Sequence, residues 1–481
     1  VNVQQAAAFE SATACRSLRD WIARLEAAGE LYRNRTPMGL RNDISYVSKT
    51  IADRGGPAVL HERVIDYPGW QVFHDGLTTQ RRQALALGRS TQDYADFLFE
   101  VLGADRRVEP VIVDTGPCKE RIIDGNIDLT ALPLPNTSAD ENPPYITAGI
   151  SHVITPDGGW QNIAIRRFQL QDLAQLSVLA MTSAQHEGQI IKQWFDAGER
   201  APVVIVVGAD PLYYICAQMS APDGVAEFEY WGALAGEQLR MVRAETCPQI
   251  LVPAEAEIVI EGHYHPTDRI LEGPFSEFSG FHSGLFYLPK LEVETITMRR
   301  QSIYQYMYMG REPTEGHNID HLVYSASMYN QIKALVPEVS DVAVLGSEGL
   351  TTAISIRKSA NRPGLVRQLS MAARGCRAGK LIKNLIVVDD DIDVRNLNEL
   401  VWALSVRFQG AKDLFVVDNL PGCYLDPSEP SLTGAPGIMS FTVFDLTEPL
   451  APHDHAYKRG RAEPHRTDTA TTVLRAMGVA P

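Results

Sequence analysis

The spacing of apolar residues changes character three times along the chain. At 17–29 the run SLRDWIARLEAAG places Leu18, Trp21, Ile22 and Leu25 on one helical stripe and closes on glycine, which predicts a short amphipathic helix packed on a core. The next hundred residues alternate strand-like runs, such as 58–60, with helical ones, such as 90–102, and read as an α/β region covering 1–120. A stretch with Pro133, Pro135, Pro143 and Pro144 opens a new unit. From 146 to 294 short apolar segments (ITAGISHVI, PVVIVVG, EIVIEGHYH, LEVETITM) are separated by Gly, Pro and Asp. Their β-branched content predicts a largely antiparallel barrel or sandwich at 121–310, interrupted by helical runs at about 171–197 and 227–234. Past Asp320 helix and strand alternate again. KNLIVVDDDID at 383–393 reads as a buried strand, NLNELVWALSVRF as a helix, and 311–481 as a C-terminal α/β unit with a polar, Arg-rich tail after Pro452. The expected fold class is α/β and α+β multidomain.

Composition narrows the function. Across 481 residues, 44 Lys and Arg face 59 Asp and Glu, a formal charge of −15. That balance argues against a large nucleic-acid footprint, which needs clustered cations. The strongest apolar stretch, 203–208, is far short of the roughly 18 residues of a spanning helix. Glu10, Arg16 and Asp20 interrupt any apolar leader, so the expected location is cytoplasmic, without a membrane. Cys15, Cys118, Cys216, Cys247, Cys376 and Cys423 lack CxxC spacing and read as free thiols.

Several familiar motifs fail on inspection. Gly375-Cys-Arg-Ala-Gly-Lys380 is one residue short of a phosphate loop, and Leu381 stands where a hydroxyl is needed. His186-Glu187 begins like a zinc-protease helix, but Ile190 replaces the second histidine. His263 with His265, and His453 with His455, read as surface pairs.

Three other segments carry candidate chemistry. Asn162 and Arg167 sit five positions apart on a turn-and-strand segment. Strand alternation sends them to opposite faces unless a bulge intervenes, and solvated surface arginines fit the same composition. Gln185-His186 and the later Glu227 offer an amide, an imidazole and a carboxylate, a donor set suited to Mn²⁺ or Mg²⁺, although a single helical histidine also fits simple packing. In Glu272-Gly-Pro-Phe-Ser-Glu277-Phe278, Phe275 and Phe278 are placed to desolvate Glu277 and make it a proton donor near neutral pH. A loop with solvated acids is the alternative.

Taken in order, these segments together with KNLIVVDDDID resemble the UbiD family of reversible decarboxylases over roughly 15–450. The resemblance implies an N-terminal α/β region, a central split β-barrel that binds flavin and a C-terminal α/β oligomerisation domain. It implies prenylated FMN supplied by a separate flavin prenyltransferase, a Mn²⁺ ion and a K⁺ or Na⁺ ion. Metal ligands fall on Asn162, His186 and Glu227, and catalytic roles on Arg167, Glu272 and Glu277. Cofactor contacts fall on Asn162, Ile163, Ala164, Ile165, Arg167, Gln185, His186, Glu227 and Lys383, the last reaching the phosphate. Carbonyls near Ala217 and Met219, with Glu227, are implied for the monovalent ion. Arg166 is an extra charge near the flavin edge.

The implied reaction is reversible, non-oxidative decarboxylation of an aromatic, heteroaromatic or α,β-unsaturated acid through a covalent adduct with prenylated FMN. Arg167 would hold the carboxylate and Glu277 would donate the proton, with Tyr304, Tyr306, Tyr308, Phe278 and Phe281 as possible walls for a flat ring. Partners would be the small acid, CO2 and further copies of the chain, as a dimer or hexamer. The competing readings are a flavin-binding, non-decarboxylating subunit of a larger carboxylase and an unrelated Mn²⁺ hydrolase.

Overall fold

The computed structural model describes residues 14–179, 185–423, 425–428, 437–449 and 468–477. Most of the tail after Pro452, with His453 and His455, lies outside them.

The first helix, Leu18–Ala27, is capped by the Ser17 hydroxyl, which accepts from the Asp20 amide, and it buries Leu18, Trp21, Ile22 and Leu25. Each such side chain contributes about 1.5–3 kcal/mol by leaving water. The helix lies beside a four-stranded sheet in the order Leu31–Asn34, Ala58–His61, Gln71–His74, Ile303–Gln305. The last strand comes from far downstream, so the chain returns to its N-terminal lobe after the central unit.

That unit is a closed antiparallel barrel. Its strands are β1 (Tyr145–Ile154), β2 (Gln161–Asp172), β3 (Gln175–Val178), β4 (Ala201–Val207), β5 (Ile258–Glu272) and β6 (Phe286–Met298). The order β5-β4-β1-β2-β3-β6 closes through β5 pairing with β6, and Arg121–Asp124 adds to the outside of β6. Alternation along the strands divides the apolar residues between two cores. Ile146, Val153, Phe168, Ile205 and Ile260 share one cluster. Ala148, Ile150, Ile163, Val204 and Val206 join the other, with Trp21 and Phe73 of the N-terminal lobe.

Two elements differ from the reading of the sequence. The run at 171–197 is not one helix: it contains the end of β2 and all of β3 before the helix His186–Asp196. Leu176 and Val178, counted there as helical, alternate into the barrel core instead. The second helical run starts later than expected, at Glu229–Ala235, and leaves Glu227 just ahead of it.

The C-terminal unit is a five-stranded sheet ordered Val339–Gly346, Thr351–Ile356, Asn384–Asp389, Ile438–Asp445, Leu414–Pro421. Helix Glu315–Lys333 packs both on this sheet and on helix Tyr94–Gly103, joining the outer units. Among the described residues, no helix is long and apolar enough to cross a membrane. All six cysteines are free.

Candidate active site

Strand β2 passes through both candidate clusters, one at its start and one at its middle. Near its start Asn162 is buried, and its amide donates to Glu227 Oε1 at 2.8 Å. The backbone of Ile163 donates to the other carboxylate oxygen at 2.9 Å. His186 opens its helix with Nδ1 3.5 Å from Glu227 Oε1, and its ring meets Trp160 edge-on at 4.5 Å. Asp223 Oδ1 stands 2.9 Å from His186 Nε2 and 2.6 Å from Arg377 Nη1. Arg377 also points Nη2 at His186 Nε2. That nitrogen can accept from the guanidinium or donate to Asp223, but not both.

Asn162, Ile163, His186, Glu227 and Arg377 face one cavity. Its wall also includes Ala164, Gln185, Ala217, Met219 and Lys380. Ile165 does not line it and packs against the apolar cluster outside the barrel. Lys383, implied as a phosphate contact, is tied 2.6 Å from Asp426. The reason is local: Lys383 immediately precedes strand Asn384–Asp389 and is held beside the 426–428 turn, whereas the preceding loop brings Arg377 and Lys380 to the wall. That loop leaves the C-terminus of helix Leu365–Gly375, so it cannot form a phosphate loop, which enters a helix N-terminus. In the sequence these cations carry no signal beyond the incomplete phosphate-loop motif.

Arg167 lies further along β2. Its Nε is 3.0 Å from Glu272 Oε1 and its Nη1 is 3.0 Å from Glu277 Oε1. The guanidinium carbon sits 4.5 Å from the centre of the Phe275 ring, and the Tyr145 hydroxyl donates to Glu272 at 3.1 Å. Glu272 ends β5, and the loop after it is pinned to β2 by Gln169, which accepts from the Gly273 amide at 3.0 Å. Gly273 has φ +109, and a Cβ there would come within 2.5 Å of the Gly284 carbonyl oxygen, so only glycine fits. Phe275 and Ser283 pair across the loop, and the Glu277 amide donates to Phe281 at 2.9 Å. A folded hairpin therefore aims Glu277 at Arg167.

Burial pushes the Glu277 carboxyl up to about 7; Arg167 pulls it down, while Glu272 and Glu348 push it further up. Burial works against the charge of Arg167, but Glu277 and Glu272 outweigh it and raise its pKa. Arg167 Nη2 and Glu272 Oε2 are buried without a hydrogen-bond partner. Such orphan groups are costly and mark a place where a ligand completes the set.

None of the five aromatics expected to wall a flat ring lines the cavity beside Asn162. Tyr304 and Tyr306 are fully buried in the apolar cluster that joins the barrel to the N-terminal lobe, Tyr308 packs against that cluster, Phe278 is buried and Phe281 is exposed. His263 and His265 pair with Glu294 and Glu292 at 3.1 Å each. Among the described residues, no group of three or more His, Cys, Asp or Glu is arranged for a metal; the set on β2 includes an asparagine. Its chemistry fits a hard-to-borderline divalent ion, with a carboxylate, an imidazole and an amide in contact.

The chain matches the 3-octaprenyl-4-hydroxybenzoate carboxy-lyase N-terminal domain at 22–102, the Rift-related domain at 110–312 and the C-terminal domain at 317–442. It is 30% identical over 457 residues to a phenolic acid decarboxylase of Sedimentibacter hydroxybenzoicus, covering 91% of this chain and 92% of that one. The vanillic acid decarboxylase of the same organism, in closed form, superposes with a TM-score of 0.85 at 28% identity, over 97% of this chain and 99% of that one. The UbiD-class enzyme HmfF of Pelotomaculum thermopropionicum, in complex with FMN, gives 0.83 at 29% identity, over 93% and 97%.

Proposed function

The chain belongs to the UbiD family of carboxy-lyases, and from that premise we propose that it decarboxylates an aromatic acid, using prenylated FMN held against the cavity wall. Losing CO2 directly from an aromatic ring would leave an sp² carbanion without a resonance sink; the bound cofactor supplies that sink. Asn162, His186 and Glu227 would hold a Mn²⁺ ion, Arg377 and Lys380 would face the cofactor phosphate, and Ala217 and Met219 with Glu227 would receive a monovalent cation. A complex of HmfF with prFMN, 27% identical with a TM-score of 0.80, supports the choice of cofactor.

The chain's own residues supply the remaining steps. Arg167 has an unpartnered Nη2, so it binds the substrate carboxylate without giving up Glu272. Glu272 keeps that guanidinium oriented. Once the carboxylate has left as CO2, Glu277 delivers a proton to the same carbon, and it can do so near neutral pH because burial holds its carboxyl up to about 7. The overall change is one carboxylate and one proton in, one CO2 and one C–H bond out.

The observation that carries this reading is the single guanidinium 3.0 Å from each of two buried carboxylates. The test is co-expression with a flavin prenyltransferase, followed by measurement of CO2 released from a panel of aromatic acids. Release from at least one acid is expected. A flavin-loaded protein that releases none would favour the non-catalytic subunit.

A further inference from the structure

The hairpin that carries Glu277 is held at two places. On the barrel side Gln169 of β2 accepts from the Gly273 amide at 3.0 Å and donates to the Gly273 carbonyl at 3.4 Å. On the far side the ring of His317 meets the carbonyl of Phe278, the residue next to Glu277, with Nε2 3.1 Å from the oxygen. A carbonyl only accepts, so Nε2 carries the hydrogen. His317 is buried, and burial pushes its pKa down to about 4, with Glu312 opposing the shift and His321 and Lys49 adding to it. The ring is therefore neutral, and its Nδ1 accepts from the Thr314 hydroxyl at 2.7 Å. Both ring nitrogens are used in holding the chain, and neither is left to carry a proton. His317 lies in the first turn of helix Glu315–Lys333, whose start is fixed to the N-terminal lobe. There Glu315 accepts from the amides of Asp75 at 2.9 Å and Leu77 at 2.6 Å. The hairpin tip packs on the approach to the same helix: Gly280 has φ +80, and a Cβ there would come within 2.7 Å of the Arg311 Cβ.

We propose that His317 is a positioning residue for the proton donor: through the Phe278 carbonyl it fixes Glu277 against Arg167 and keeps water from the Glu277 carboxyl. This deepens the proposed function and rests on it. Gln169 sets where the hairpin leaves the barrel, four residues before Glu277, and a hinge at that point still lets the acid swing. A second hold one residue beyond Glu277 removes that freedom. Burial is the largest influence on the Glu277 carboxyl, so a hairpin released on the His317 side admits water and the carboxyl falls back toward its ordinary value. Arg167, Glu272, Glu348 and Cys423, the titratable groups that interact with Glu277, belong to other segments and do not depend on the His317 ring. An acid displaced from its partner also transfers its proton less often, while the carboxylate-binding nitrogen of Arg167 stays where it is.

The test compares wild type, His317→Asn and His317→Gln as full-length, flavin-loaded enzymes. The Asn amide reaches the Thr314 side and not Phe278, whereas the Gln amide reaches the Phe278 carbonyl and can donate to it. The pH profile of CO2 release is measured for each, together with amide hydrogen exchange by mass spectrometry. In His317→Asn the alkaline limb should move down from about 7 by about one pH unit or more. Its kcat should fall about tenfold with KM nearly unchanged. Exchange should rise about tenfold over residues 274–283 and stay as in wild type over 315–333. His317→Gln should keep the wild-type limb. His317→Leu, which has no donor, repeats the test if the Asn variant does not fold. A limb that stays at about 7 in the Asn or Leu variant overturns the positioning role and leaves the decarboxylase standing, as does faster exchange spread equally over helix and hairpin. Failure of wild type to release CO2 from any aromatic acid overturns the reading beneath it, and this one with it.

Discussion

The start and the middle of strand β2 solve different problems with similar residues. Around Asn162 the cluster gathers side chains from a strand, a helix start, a loop and the C-terminal unit. It reaches outward through Asp223, whose side chain is 71% exposed. Around Arg167 the cluster draws on one strand, one hairpin and Tyr145, and its carboxylates are almost fully buried. The first can adjust its charges to an incoming ion and an anion. The second is preset, with orphan atoms awaiting one ligand. Holding and reacting are thus separated along a single strand.

The sharpest way to break that contrast is Arg167→Met. It leaves Glu272 and Glu277 buried without a cation, a change of about 3–5 kcal/mol for an uncompensated buried charge. Chemical denaturation at pH 8 should show the loss, with a smaller one at pH 5 where the carboxyls can protonate. CO2 release should vanish at both. Full stability at pH 8 would mean that the cluster is not preset.

Glu277→Gln comes next. It should cost about 10²–10⁴-fold in CO2 release, the usual contribution of a positioned acid, while flavin absorbance is retained. The pH profile checks the same group. Its folded carboxyl is raised from 4.5 to about 7, so the stability it contributes is fully present below the unfolded value and is lost as pH rises through about 7. The active acid form disappears over the same range. Activity should therefore fall about tenfold per pH unit above about 7 in wild type, and the Gln variant should lack that limb.

Much of this contrast was legible in the sequence, for physical reasons. Alternation in ITAGISHVI and EIVIEGHYH exposes a barrel because each strand face meets a different core. Gly273, Pro274 and two flanking acids mark a turn, and turn chemistry is local. Asn162 and Arg167, five positions apart on one strand, take partners from different elements. What stayed hidden depends on tertiary contact. Leu176 and Val178 carry no mark that separates a short strand from a helix, and His317 looks like an ordinary helical histidine until the hairpin sets the Phe278 carbonyl against its ring.

Beside the start of β2, His186→Ala removes a donor that Asn162 and Glu227 cannot replace. Metal analysis and flavin absorbance of the purified protein should fall together, about tenfold or more, with the denaturation midpoint nearly unchanged. Retention of both would dismiss the ion site without touching the Arg167 cluster.

The smallest effect separates two cations of the C-terminal unit. Lys383 is bound to Asp426 and lies off the cavity wall, while Arg377 lies on it between Asp223 and His186. Lys383→Ala loses a partly exposed ion pair worth about 0–1 kcal/mol and should leave flavin content unchanged. Arg377→Ala removes a charge from the place where a phosphate would be held, so flavin content should drop severalfold, more at high salt than at low because the remaining attraction is screened. Absorbance per chain after gel filtration at two salt concentrations decides between them. Should Lys383→Ala lose the flavin and Arg377→Ala keep it, the anion is held from the strand side, and the loop after Gly375 has another purpose.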